Sequence, residues 1–542
     1  MASSATTPRR TPSPPSTFLI SSAPSPDRAL CNPLIRMTNM RYLATLVVAA
    51  AAVLATNATA EPAYWVLKPV PILRASGNTG TPAPRPAEIA LAPAQLPEGK
   101  RGKAYIFDFR AVTSIQGAGQ DWGAVTWSLG DGMLPTGLSL SNDGKLAGTP
   151  TVKTALAGSE FTVVGSYKGA TGPQVYTIKV GDALLEVTSI AAAYGSHTCA
   201  VTKTGGAKCW GNNSIGQLGN GSNTSSPIPV DVAGLQSGVA VVATGTNHTC
   251  AVTTAGAVKC WGNNTSGQLG NNSTTASAVP VDVLGLSSGV SDVGAGGAHA
   301  CALTVAGGVQ CWGSNTQGQL GDNGGTSRGV PGAVQGLSAG VASLAVGNGH
   351  NCATTTAGTS MCWGAGAAGQ LGNGGAANSP VPVEVQDGSG NSMAFVSISA
   401  GATHTCGLAD GGTALCWGSN ASGQLGTNST SNSSVPVTVQ GLGSARVIRA
   451  GGGHTCAITS GNAAKCWGSS TNGQLGDGST NQSLVPVNVA GLASGAASIA
   501  VGNFHTCAVL FAGGARCWGN NGGGRLGNNS GTHSSVPVDV LE

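Results

Sequence analysis

Charge is what this chain has least of. Only 8% of its 542 residues are Asp, Glu, Lys or Arg, and aromatic residues make up 4%. Binding to a phosphate backbone needs clustered Lys and Arg. From Val187 onward there are 9 Lys and Arg against 10 Asp and Glu, so the formal charge of +4 is carried upstream and the larger part of the chain has no basic cluster. No nucleic-acid partner is expected. The phosphate-loop spacing G-x-x-x-x-G-K-[ST] is absent, as is the C-x2-4-C chelate of common zinc sites. Cysteine is missing from residues 32–198, and of the 15 Cys only Cys31 precedes Cys199. The other 14 form an even set, which in an exported chain points to disulfides. Glycine, by contrast, is abundant at 86 residues, and 41% of residues are apolar. That combination, without helical periodicity, predicts many short strands joined by tight turns.

The chain divides by composition. Residues 1–36 are rich in Pro and Ser and read as a disordered or over-extended leader, with Met37 or Met40 as initiator. Residues 37–60 read as a signal peptide, with basic Arg41, an apolar run too short for a comfortable membrane span, and the small-x-small site Ala58-Thr59-Ala60. Cleavage there implies a secreted, periplasmic or cell-surface protein that does not span a membrane. Residues 61–88 form a Pro-rich linker. Residues 89–182 carry alternating runs such as "FTVV" and "VYTIKV" between Gly and Asn-Asp-Gly turns, the pattern of a small β-sandwich. The string from Trp127 through Leu134-Pro135 and Gly144 to Gly148-Thr149-Pro150 resembles the immunoglobulin-like (Ig-like) domains of bacterial surface and secreted proteins. The resemblance implies a spacer or adhesive module.

Residues 187–542 repeat one line seven times, first as "HTCAVTKTGGAKCWGNNSIGQLG". His197, His248, His299, His350, His404, His454 and His505 mark the copies at steps of 51, 51, 51, 54, 50 and 51. A period near 50 with four short apolar stretches predicts one four-stranded propeller blade per copy. The line "HTCAVT…KCWGNNSIGQLG…PVDVAGL" resembles the repeat of the regulator of chromosome condensation (RCC1-like) family, in its bacterial secreted form. That resemblance implies a seven-bladed β-propeller, making the whole chain all-β. Because blade register in such folds often differs from the sequence repeat, the C-terminal "VPVDVLE" is expected to complete the blade begun by "VTSIAAA".

Two cysteines sit ten apart in every copy: Cys199 and Cys209, Cys250 and Cys260, Cys301 and Cys311, Cys352 and Cys362, Cys406 and Cys416, Cys456 and Cys466, Cys507 and Cys517. A symmetric hairpin sends both to one face and opposite each other, which suits a disulfide. A zinc site on His197, Cys199 and Cys209 and a Cys-His nucleophile are the rival readings; against the first stand the missing chelate and the oxidation a secreted thiolate would meet, against the second that paired Cys are not nucleophiles and that a catalytic site is one place, not seven. No metal, cofactor or catalytic residue is expected. Each His is expected to bond a neighbouring backbone group and order its turn. Trp210, Trp261, Trp312, Trp363, Trp417, Trp467 and Trp518 follow the second Cys and point to the other face, filling the space between blades; stacking on sugars is the alternative. The Leu of "GQLG" is expected to plug the blade.

If the shared residues are scaffold, function falls to the differences between copies. Arg328, Arg446, Arg449, Phe504 and Arg525 depart from the repeat and are the binding candidates. The expected protein is an exported, monomeric binding scaffold for an unknown protein or cell-surface glycan. The alternative, from family analogy, is a guanine-nucleotide exchange factor-like regulator of a small GTPase.

Overall fold

The computed structural model describes residues 85–542 apart from 118, 156 and 193. The expected leader, the signal peptide and nearly all of the linker lie outside the described residues. Among those residues every regular element is a β-strand or a short 3-10 turn.

Ahead of the repeats, Tyr105–Asp108, Lys145–Gly148 and Leu138–Leu140 form one three-stranded sheet, and Val125–Gly132, Ser159–Tyr167 and Ala170–Ile178 form another. Glu88–Leu91 pairs with Thr113–Gln116. Alternation along Ser159–Tyr167 buries Phe161, Val163 and Tyr167, which join Phe109, Leu146 and Tyr176 in one core. Trp127 closes it, with its indole N–H donating to Thr113 at 3.1 Å. Asn142-Asp143-Gly144 must end in glycine: Gly144 has φ +89°, and a Cβ there would lie 2.9 Å from the Trp127 ring.

From Val187 the chain forms seven four-stranded antiparallel sheets, each with its strands in sequence order. The first comprises Val187–Ala192, His197–Thr202, Ala207–Gly211 and Ser226–Asp231. The first strands of the seven sheets together line a central cavity of about 370 Å³. This is the ring of a propeller, with the blades set around a channel.

Blade register corrects one expectation. The C-terminal strand Ser534–Asp539 pairs with Ala515–Gly519 of its own copy, and "VTSIAA" pairs with the following "HTCAVT". No strand is exchanged. The ring closes instead through bridges between Leu184 and Leu541 and between Glu186 and Gly514. Leu185 N also donates to Val540 O at 3.0 Å. Each blade therefore satisfies its own ladder, and closure falls to contacts between blades.

Candidate functional site

The two cysteines of each copy stand directly opposite one another in the hairpin ladder. Cys199 faces Cys209, Cys250 faces Cys260, Cys301 faces Cys311 and Cys352 faces Cys362. In the last three blades Cys406 faces Cys416, Cys456 faces Cys466 and Cys507 faces Cys517. All seven pairs are disulfides, with Cα–Cα distances of 4.0 or 4.1 Å. All fourteen residues are fully buried. A bonded sulfur is neither a thiolate ligand nor a nucleophile, so Cys209, Cys260, Cys311, Cys362, Cys416, Cys466 and Cys517 hold their hairpins and are no part of a binding or catalytic centre.

Histidine and tryptophan join the blades. His197 Nε2 lies 2.8 Å from Thr249 Oγ1 of the next blade. Thr249 gives its single hydroxyl proton to Gln217 O at 2.9 Å. Its oxygen must then accept, so His197 carries its proton on Nε2. Trp261 of the same blade donates its indole N–H to the same carbonyl at 2.9 Å. The arrangement recurs as His350–Thr405, His404–Thr455 and His454–Thr506, and Asn351 takes the threonine's place opposite His299. The expected backbone partner is thus replaced by a side chain of the neighbouring blade.

"GQLG" supplies the other half of the joint. Gly219 has φ +72°, and a Cβ there would meet the Trp261 indole at 2.6 Å. Only glycine lets the backbone lie flat on the neighbouring ring. Leu218 is fully buried within its blade cluster, and Gln217 Oε1 accepts from Ile215 N at 2.9 Å to shape the turn.

His248 is the exception. Residue 300 is Ala where a hydroxyl would stand, and both ring nitrogens of His248 are buried without a partner. Burial dominates the titration of all these rings. It pushes His197, His248, His350, His404 and His454 down to about 3 and His299 to about 4. The seven imidazoles are neutral parts of the core.

The five departures from the repeat do not form one site. Arg328 lies in the strand Arg328–Ala333, paired with Asp322 at 3.2 Å and bonded to Cys311 O at 3.3 Å. Arg525 is buried, with Nε donating to Gly522 O at 3.0 Å, while its own carbonyl accepts from Trp210 and Thr198. Its position takes it off the loop surface: it is the ring-closing joint. A carbonyl does this work, so Arg replaces Gln without loss of the bond. Arg449 stands on an inner strand and lines the channel. Arg446, at the other end of the same strand, and Phe504 are exposed. Arg446 bonds Asn462 at 2.9 Å and lies 5.6 Å over the ring of exposed Phe511.

Sequence reasoning missed Asp292, Thr244 and Tyr194, which also line the channel. Asp292 had a usable signal, as the one acid in any of the seven inner strands.

Comparison with known proteins gives a consistent picture. A family model described as an RCC1-like domain matches residues 158–497, and an RCC1 repeat model matches 496–525. An Ig domain model matches 88–181. The human E3 ubiquitin-protein ligase HERC2 is 31% identical over 261 residues, 47% of this chain but 5% of that protein. The Arabidopsis thaliana ultraviolet-B receptor UVR8 is 32% identical over 250 residues, 45% of this chain and 56% of the receptor. The chain thus spans only a small part of the first and about half of the second. Among solved structures, human WBSCR16 superposes with TM-score 0.55 at 24% identity, covering 61% of this chain and 93% of that one. Prp20p from Saccharomyces cerevisiae, described with its binding to Gsp1p and histones, gives 0.54 at 20% identity over 66% and 88%. At those identities the likeness is one of fold.

Proposed function

The chain belongs to the RCC1-like family, and we propose that it is an exported binding protein whose variable surfaces hold a macromolecular partner, a protein or a surface glycan. One observation carries this reading. The residues that recur in every copy are used up in building the ring: cysteines in disulfides, tryptophans and all the histidines but His248 in joints, His248 buried in the core, glycines beneath neighbouring rings. Recognition is then left to what differs between copies, the Asn/Ser/Thr-rich outer loops and exposed side chains such as Phe504, Phe511 and Arg446.

Seven buried disulfides favour an oxidising compartment, in keeping with the signal peptide expected over residues 37–60. The exchange-factor alternative needs a cytosolic or nuclear GTPase, where such disulfides are rare. The reading is of a scaffold without its own catalysis. The test is affinity capture with the full exported chain, from native extracellular material and from cytosol in parallel. Saturable retention of an extracellular protein or glycan, weakened by Phe504→Ala or Arg446→Ala, is the expected result. Retention of a cytosolic small GTPase alone overturns it.

A further inference from the structure

The inner strands are built of small and apolar residues, and two charges interrupt them within the channel. Asp292 belongs to the third blade and Arg449 to the sixth, the widest separation a ring of seven allows. Both line the same cavity of about 370 Å³. That volume falls in the range of about 300–1,000 Å³ typical of small-molecule sites.

The two side chains are not spent on each other. Among the described residues no carboxylate pairs with Arg449 within 4.0 Å. Its Nη1 donates to Ile448 O at 2.9 Å, which leaves the Nε and Nη2 donors for another partner. Asp292 Oδ1 accepts from Val293 N at 2.9 Å and leaves Oδ2 to accept elsewhere. A third polar group shares the cavity: Thr244, whose buried hydroxyl has no partner. Tyr194 reaches across to donate to Ala400 O at 2.7 Å, and its oxygen keeps lone pairs for a further donor.

We propose that the central channel is a binding site for a small amino-acid-like zwitterion, its carboxylate on Arg449 and its ammonium toward Asp292. The sign of the walls selects this class. A lone anion on Arg449 would share the cavity with the Asp292 carboxylate, and a lone cation on Asp292 would share it with the guanidinium. A molecule with both charges opposes each wall charge with its complement and leaves the channel neutral. Asp292 is half-buried and Arg449 is open to the channel water, yet the surrounding ring still disfavours both charges: it holds Asp292 above the usual carboxylate range and draws Arg449 below its own, each partly relieved by the other's field. A zwitterion relieves both together. The rest of the wall, including Ile190 and Ala500, offers apolar contact for a short carbon chain. This site is independent of any partner held by the outer loops.

Isothermal titration of the full chain tests it, using glycine, β-alanine, γ-aminobutyrate and 6-aminohexanoate as a ladder of charge separation, with propionate and propylammonium as single-charge controls. One rung should bind saturably, at least about tenfold tighter than either control, and lose about tenfold or more in both Asp292→Asn and Arg449→Gln. Absence of binding, a control that binds as well as the best zwitterion, or affinity unchanged in both variants overturns the proposal. Should a variant fail to match the wild-type unfolding midpoint, the wild-type ladder against its controls decides alone.

Discussion

His505 Nε2 and Thr198 Oγ1 stand 2.9 Å apart although 307 residues separate them in the chain. The last blade is joined to the first by the bond that joins neighbours elsewhere in the ring, and Trp210 adds its indole bond to Arg525 O at 2.9 Å. Ring closure is thus one more copy of the joint, and the consequences of that joint can be measured.

Where the joint is incomplete, it can be completed. Ala300→Thr places a hydroxyl between His248 Nε2 and Gln268 O, which now accepts only from Trp312. One added buried hydrogen bond is worth about 0.5–1.5 kcal/mol. Denaturant unfolding should show a gain of that order, and Thr249→Ala at the neighbouring joint a loss of about 1–3 kcal/mol. A destabilised Ala300→Thr would contradict the assignment.

Glycine at the tail of "GQLG" serves two needs, and a paired experiment separates them. Gly219 and Gly234 have nearly the same φ, +72° and +73°, but a Cβ at 219 collides with Trp261 while at 234 it meets nothing. Ala at 234 should cost only the backbone strain, about 1–2 kcal/mol. Ala at 219 should cost about 1–3 kcal/mol more. Equal losses by thermal unfolding would remove the close-approach explanation.

Acid should loosen the ring well above the carboxylate range. An unfolded imidazole binds its proton near 6.5, whereas burial holds the folded ones near 3. Between those values the unfolded chain binds more protons, so stability present above pH 6.5 is lost as pH falls toward 3. The slope is about 1.4 kcal/mol per pH unit for each such histidine. Unfolding midpoints should be level from pH 7 to 8 and drop steeply below about pH 6. A midpoint unchanged at pH 4 would mean these rings are hydrated in the folded ring.

Each disulfide closes a short hairpin loop, and on the chain-entropy account Cys199→Ala with Cys209→Ala should lower stability by about 2–3 kcal/mol. The same loss is expected on replacing Cys250 with Cys260 or Cys456 with Cys466, since each pair closes a loop of the same separation of 10. Burial of both sulfurs should also keep the bonds from reductant until the blade opens. Thiol titration of the native chain should therefore find none of the fourteen free, and reductant should act only alongside denaturant. Ready labelling of the folded chain would count against it.

Local features were legible in the sequence because they depend on spacing along one hairpin. Cys199 and Cys209 are an even number of residues apart about a turn, so their pairing follows from the period of a strand. Trp210 and Leu218 could be placed in the core by their types and repetition. The partners across a joint were hidden, since Thr249 is adjacent to Cys250 in the sequence and shows its role only when the next blade is docked on His197. Strand exchange at the seam was a borrowed rule. Side-chain bonds of the joint, with two short bridges, close this ring without it. Arg449 stood out in the sequence only as a departure and Asp292 did not stand out at all, because nothing in a linear repeat says which blades share a hole.

The bonds of each joint run one way around the circle. Histidine gives to the following blade, and that blade's threonine and tryptophan give back to the carbonyl behind. Five of the seven boundaries therefore offer the same socket to the same plug, the one between the last blade and the first included; Asn351 stands in at a sixth, and only the joint at His248 lacks its hydroxyl. A gene for this ring could be re-cut at another boundary, its old termini linked, and still encode the same circle. Duplication of a unit would likewise yield a new member that fits its neighbours at birth, which is how a wheel of near-identical parts can be grown and then varied at its rim.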